Sequence, residues 1–454
     1  MKVNFNSVTG KMKPMHATNN GPYARTSDIE AGNLHPFTSN FEEYRAAGIP
    51  YARMHDSSFY HRFGLEHSVD VYYLFPNFDS DPEDPESYDF ACTDEYLKCC
   101  VLAGTKIFFR LGHRIEHEVK RYGTLPPKDL KKWAIVCEHI IRHYNEGWAN
   151  GFNFNIEYWE IWNEPDLHWN TGIQSPTWSG TREEYFELYH ITATHLKSCF
   201  PHLKIGGPAL AYDLEWAEAF LAQLKAPLDF FSWHTYKSKV EPMLKISSSI
   251  RALLDKYGFT KAESILDEWN YVRSWANDDI VYSHDQRGKI KGASFSVAVM
   301  CAGQYSSTDM LMYYDARPNE FWNGMFDDTV IGRILKGYYP FPMFDKLYRL
   351  GSCCEVTASE EGAYICAAKN DNEAAVLVTH FNDDDSTKPQ KFTIELCGFG
   401  SECGTELELY LLDESHNVES VLSLTYFGER FDLTLDLPNF TSYLIKMKKK
   451  QGAS

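Results

Sequence analysis

The chain has 454 residues, 44% of them hydrophobic and 24% charged, with a formal net charge of −19 at pH 7. That apolar content excludes disorder as the main state, and the acidic balance argues against nucleic acid or an anionic membrane surface as a partner. Aromatic side chains make up 15%, enough for a large core and equally for apolar platforms under flat ligands such as sugar rings.

From residue 13 to 345, short apolar runs alternate with amphipathic stretches, the pattern of repeated βα units on a parallel sheet. Strands are predicted at 13–16, 51–56, 106–112, 158–164, 204–209, 230–236, 264–270 and 310–315. Helices are predicted at 41–47, 93–103, 128–144, 182–200, 213–224, 246–257, 286–301 and 335–350, most of them followed by glycine or proline stop signals such as Gly48, Gly104, Pro201 and Gly258. Eight strands with eight helices is the count of an α/β fold closed as a (β/α)8 TIM barrel; a doubly wound open sheet is the competing arrangement. Residues 346–450 change character, with short strands at 364–369, 374–381, 392–395, 406–412 and 442–446 separated by polar turns. They predict a C-terminal β-sandwich domain, to which 1–12 could add a strand. Lys448, Lys449 and Lys450, with the Gln-Gly-Ala-Ser that follows, read as a frayed tail.

The N-terminus has no apolar segment of the secretory kind, and no apolar run is long enough to span a membrane. The eleven cysteines form no CxxC pair, and Cys137, Cys199 and Cys301 lie inside apolar runs. A reduced, cytoplasmic protein is expected, with no nucleic acid or membrane partner and a homo-oligomer left open.

In a barrel the chemistry sits at the C-terminal ends of the strands. The fourth predicted strand ends Trp162-Asn163-Glu164-Pro165, and the seventh ends Asp267-Glu268-Trp269-Asn270. Each offers a carboxylate next to a Trp/Asn pair at the rim. Two carboxylates over one cavity are what glycosidic cleavage needs, one to protonate the leaving oxygen and one to act on the sugar. His234 and Tyr236 alternate in phase on the sixth strand. Arg53 and His55 close the second, where an arginine near Glu268 would keep it ionised. His113, Arg114 and His117 follow the third, and Tyr314 ends the eighth. The i, i+4 spacing of His113 and His117 suits a metal, but no third ligand is evident, so neither metal nor cofactor is expected.

Trp162-Asn163-Glu164-Pro165 resembles the WNEP signature of clan A glycoside hydrolases. With Gly10-Lys11-Met12-Lys13-Pro14, the Arg53/His55 segment, Lys204-Ile-Gly-Gly-Pro208, Ser232-Trp-His234-Thr-Tyr236 and the Glu268 motif, the chain is similar to glycoside hydrolase family 39. The resemblance implies a retaining exo-glycosidase acting on oligosaccharides or small glycosides, most often a β-xylosidase, with Glu164 as acid/base and Glu268 as nucleophile. It implies a 2-hydroxyl contact for Asn163 and substrate contacts for Arg53, His55, His234 and Tyr236. His113, Trp269 and Tyr314 are expected to shape the sugar subsites. Asp56, where the family commonly has a small residue, puts xylose specificity in question. An α-L-arabinofuranosidase and a non-catalytic carbohydrate-binding barrel are the alternatives, the latter having no need of two rim carboxylates. A retaining site predicts carboxyl groups about 5–5.5 Å apart and a hydrogen bond from Tyr236 to Glu268.

Overall fold

The computed structural model describes residues 1–58, 66–318, 320–358 and 360–450. Eight parallel strands close into a barrel. They are β2 (Ala17–Asn19), β3 (Tyr51–Met54), β4 (Lys106–Leu111), β5 (Tyr158–Ile161), β6 (Lys204–Leu210), β7 (Phe230–Lys237), β8 (Glu263–Tyr271) and β9 (Met310–Tyr313). The first barrel strand is displaced from its predicted place at 13–16. Pro14 has no N–H for a ladder, and Lys13 instead sends its Nζ to the carbonyls of Ser306 and Thr308 at 2.8 and 2.9 Å. The strand that forms carries polar Thr18 and Asn19, both buried, so no apolar run marks it.

Helices cover the barrel at Phe41–Ala46, Ala91–Leu102, Leu130–Glu146, Arg182–Cys199, Leu214–Gln223, Val240–Lys256, Ile290–Gln304 and Pro340–Leu350. Local chemistry sets their ends. Asp129 and Asp213 accept the free N–H groups of their first turns, and Thr181 with Glu184 forms a capping box. The helix predicted over 286–301 is Ile290–Gln304, and a separate, unpredicted helix, Asn277–Arg287, precedes it and ends at Gly288.

The remaining strands are β1 (Lys2–Lys11), β10 (Ser352–Thr357), β11 (Ala363–Lys369), β12 (Glu373–His380), β13 (Gln390–Cys397), β14 (Thr405–Leu412), β15 (Asn417–Tyr426), β16 (Arg430–Leu437) and β17 (Thr441–Lys449). They form one nine-stranded sheet in the order β15-β14-β17-β12-β11-β10-β1-β13-β16. Val3, Phe392 and Leu435 from one half share a buried cluster with Val376, Leu407 and Ile445 from the other. The sheet is therefore folded over as a sandwich around that core. The predicted fraying of Lys448 and Lys449 is corrected, because both pair in β17; Gln-Gly-Ala-Ser lies outside the described residues.

Helix Ile290–Gln304 is buried on nearly all sides because it lies between barrel and sandwich. Ser294 meets Thr379 at 2.8 Å, and Lys291 Nζ donates to the carbonyl of Asp383 at 2.7 Å. Among the described residues no helix is long and apolar enough to cross a membrane.

Candidate active site

The barrel interior is layered. Its lowest layer is apolar: Ala17, Tyr51, Phe108, Tyr158, Phe230, Ile265, Met310 and Met312 form one buried cluster. Two residues along each strand the side chains point inward again, and here they are polar or charged. Arg53, fully buried, reaches Glu160 at 2.7 Å, Asp267 at 3.1 Å and Asn19 at 3.1 Å. Its remaining N–H groups donate to Glu268 Oε1 and Asn163 Oδ1, each at 2.7 Å. Burial opposes its charge, but Glu160, Asp267 and Glu268 together raise its pKa further. Burial holds the Glu160 carboxyl well above the carboxylate range, whereas Arg53 and His234 overcome burial to keep Asp267 below it. Arg53 and His234 thus face the carboxylates of Asp267 and Glu268, setting basic groups against acidic ones in the buried layer.

A β-bulge lifts the chemistry above this layer. The β7–β8 register runs Trp233↔Leu266 and then His234↔Glu268, so β8 carries one extra residue. Asp267 and Glu268 consequently both face the interior. Glu268 Oε1 takes the Arg53 bond, and Oε2 accepts from Tyr236 Oη at 2.7 Å. His234 Nδ1 lies 3.4 Å from Oε2 and His55 Nε2 lies 3.4 Å from Oε1. Burial pushes the Glu268 pKa up, but His234, His55, Arg53 and the Tyr236 hydroxyl outweigh it, so the carboxyl is held below its ordinary range. The imidazole of His234 is driven the other way: its burial penalty is overcome by Glu268 and Asp267, which raise its pKa well above the usual histidine value.

Glu164 is placed by strained backbone after β5. Trp162 and Glu164 have φ of 74° and 48°, a region costly for residues with a Cβ. The conformation is held by Glu164 N–H donating to the Ala209 carbonyl at 3.0 Å and by Thr177 Oγ1 donating to the Glu164 carbonyl at 2.6 Å. His234 Nδ1 lies 2.8 Å from Glu164 Oε1. A carboxylate oxygen of Glu164 and one of Glu268 lie within 4.8 Å of each other.

Above them opens a cavity of about 470 Å³ walled by Glu164, Glu268, His55, Tyr236, Tyr314 and further rim residues. Asn163 is buried beside it with Nδ2 unpartnered. Arg53, expected to contact substrate, is instead fully buried beneath the cavity with its N–H groups bound to Glu160, Asn19, Glu268 and Asn163, and two expected subsite residues lie elsewhere. Trp269 is fully buried against Phe295 and Tyr313, because the bulge at Glu268 turns the next side chain outward toward the helices. His113 packs on Tyr72 and Gly123 and lines a neighbouring apolar cleft instead. Residues 113–117 are not helical, so His113 and His117 do not share a face.

Further residues complete the site. Asp56 binds His55 Nδ1 at 2.7 Å, His67 Nδ1 at 3.0 Å and Arg317 at 3.3 Å. Trp275 and Trp322 stand at the mouth with Tyr236. Glu160 and Asp267 could have been suspected as charges inside apolar strand runs; nothing local marks Trp275 or Trp322.

Three clusters among the described residues bring donor atoms within 4.8 Å: Glu138/His195/Cys199, Asp56/Glu66/His67 and Glu164/His234/Glu268. Basic groups lie beside or within each. Arg142 lies 2.7 Å from Glu138, Arg317 lies 3.3 Å from Asp56, and the pKa of His234 is raised by its acidic neighbours.

Comparison with known proteins follows the same lines. The model of glycosyl hydrolases family 39 matches residues 66–271. A beta-xylosidase of Geobacillus stearothermophilus is 32% identical over 171 residues, covering 32% of this chain and 32% of that protein. A beta-xylosidase of Caldicellulosiruptor saccharolyticus is 26% identical over 324 residues, covering 65% of this chain and 64% of that protein. The matches thus span less than two thirds of these curated relatives. In fold, the chain is similar to the solved structure of a glucosidase from Croceicoccus marinus, with TM-score 0.77 and 22% identity over 99% of this chain and 98% of that one. Over residues 66–271, a little under half of its length, the chain is similar to glycosyl hydrolases family 39.

Proposed function

We propose that this chain is a retaining exo-glycosidase that removes terminal pentosyl units from oligosaccharides or small glycosides, with β-xylosides as the first substrate class. One observation carries the reading. Carboxylate oxygens of Glu164 and Glu268 approach within 4.8 Å, on the side of the short separation that double displacement uses and well below the roughly 6.5–9.5 Å that leaves room for an inverting water. The two beta-xylosidase relatives support the sugar class.

Glu268, kept ionised, attacks the anomeric carbon while protonated Glu164 gives its proton to the leaving oxygen, and a glycosyl ester forms on Glu268. In the second step Glu164 takes a proton from water, which attacks the same carbon, releases the sugar with its configuration retained and restores Glu268. Asn163 Nδ2, buried and without a protein partner, donates to the sugar 2-hydroxyl. His55 Nε2, 3.4 Å from Glu268 Oε1, faces the glycone, and Tyr314 forms part of the same wall. His234 bridges the two carboxylates and steadies both. We further propose the barrel, 13–345, as the catalytic unit, with 346–450 and the first strand as its structural support. The eleven unpaired thiols favour a cytoplasmic setting.

A panel of nitrophenyl glycosides, with the anomer of the first product followed by proton NMR, tests the reading. Turnover of the β-xyloside with the β-anomer released first supports it; initial release of the α-anomer, or no turnover across the panel, refutes it.

A further inference from the structure

The cavity over Glu164 and Glu268 changes character from floor to mouth. Its floor is closed by the buried charged layer around Arg53, which binds Glu160, Asp267 and Glu268. Glu268 and Tyr314, deep in it, are 4% and 7% exposed, whereas Trp275 in the same wall is 64% exposed. A lone exposed tryptophan would need no explanation. This one is continuous with the site: its ring lies 5.7 Å from Tyr236 and 5.8 Å from Trp322, edge-on to both, and Tyr236 is bonded to Glu268. The cluster is braced from outside. The Arg287 guanidinium lies 4.3 Å from the Trp322 ring centre and donates to the Phe321 carbonyl at 2.9 Å. An open aromatic surface is thus fixed at the mouth, and neither carboxylate's chemistry uses it.

In a site closed at its floor, the sugar that reacts sits against Glu268 and everything attached to it extends toward the mouth. Aromatic faces gain most from flat ligands whose surface they can cover. We propose that Trp275 is the platform of the leaving-group subsite, stacking the apolar face of the sugar ring or aryl group that departs. The proposal rests on the glycosidase reading and makes the site selective for leaving groups that carry a ring.

The test compares two substrates of whichever sugar the glycoside panel selects: the disaccharide, whose leaving group is a ring, and the glycosyl fluoride, whose leaving group is a single atom. Trp275→Ala is expected to lower kcat/KM on the disaccharide about tenfold and to leave the fluoride within about twofold of the unaltered protein. Trp275→Phe, which keeps a smaller ring, should recover most of the loss. The pH profile on the disaccharide should keep both limbs in place, separating a lost platform from a displaced Glu164 or Tyr236. Equal losses on the two substrates, no loss on either, or a moved limb would overturn the proposal. If the unaltered protein turns over neither substrate, the glycosidase reading fails and takes the platform with it; if it turns over the fluoride, the platform is judged by the ratio alone.

Discussion

Replacing Tyr236 by Phe removes one hydroxyl and little else, since the ring can keep its contacts with Trp275 and Trp322. That hydroxyl donates to Glu268 Oε2 at 2.7 Å. A hydrogen bond to a charged group contributes roughly 1.5–3 kcal/mol, and about 1.36 kcal/mol moves a titration by one pH unit. Because the bond favours the ionised carboxyl, its loss makes Glu268 harder to ionise, and the acidic limb of kcat/KM moves to higher pH. The low end, about one pH unit, is expected, because Arg53 still holds Oε1 at 2.7 Å and His234 still lies 3.4 Å from Oε2. Burial and the charge of Glu268 raise the Tyr236 pKa well above its ordinary value, so the phenol remains a donor across the working range. The assay is a pH profile on an activated aryl glycoside. An acidic limb that stays in place would mean that Tyr236 does not help to ionise Glu268.

Glu164→Ala should strongly slow glycosides with poor leaving groups while nearly sparing the first step on activated aryl glycosides; azide should then restore turnover and yield a glycosyl azide of the substrate's own configuration, and an azide of opposite configuration would contradict the role. Arg53→Leu takes the guanidinium from between Glu160, Asp267 and Glu268 and should cost about 3–5 kcal/mol in denaturant unfolding; a loss under about 1 kcal/mol would show that the layer repacks without it. Asp56 is buried, yet Arg317, His55 and His67 hold its pKa well below the ordinary carboxylate. A depressed pKa stabilises the fold above the unfolded carboxylate value of about 3.9 and the effect fades as pH falls through the folded value. Asp56→Asn should therefore lower Tm more at pH 7 than at pH 3, and an equal drop at both would refute that reasoning.

The barrel was legible because its strands are apolar runs set between amphipathic helices with clear stops. Where that signal is missing, the reading slipped. β2 is three residues with two buried polar side chains, and its partners rather than its composition make it a strand. In the sandwich, β15 is mostly exposed at the sheet edge and shows no inward face, so it gave no alternation to find. β16, by contrast, alternates Phe431, Leu433, Leu435 and Leu437 and could have been read. The site shows the same division. Motifs at strand ends pointed to Glu164 and Glu268 because rim position follows from the fold class. The bulge at Glu268 did not announce itself in composition, and it turns Trp269 into the core while bringing Asp267 inside. His113 was misplaced because the segment after β4 is irregular and its direction is set by Asp70, Glu116 and Gly123 rather than by periodicity. Trp275 and Trp322 sit on loops far along the chain, where only the closed barrel brings them to the cavity over Glu268.

The most direct measurement traps the covalent intermediate. An activated 2-deoxy-2-fluoro glycoside of the preferred sugar should let Glu268 attack while slowing release, leaving the sugar on the protein. Intact mass should rise by one fluoroglycosyl unit, and peptide mapping should locate it on Glu268. A label on Glu164, or steady turnover to the inverted anomer with no label at all, would contradict a double displacement through Glu268.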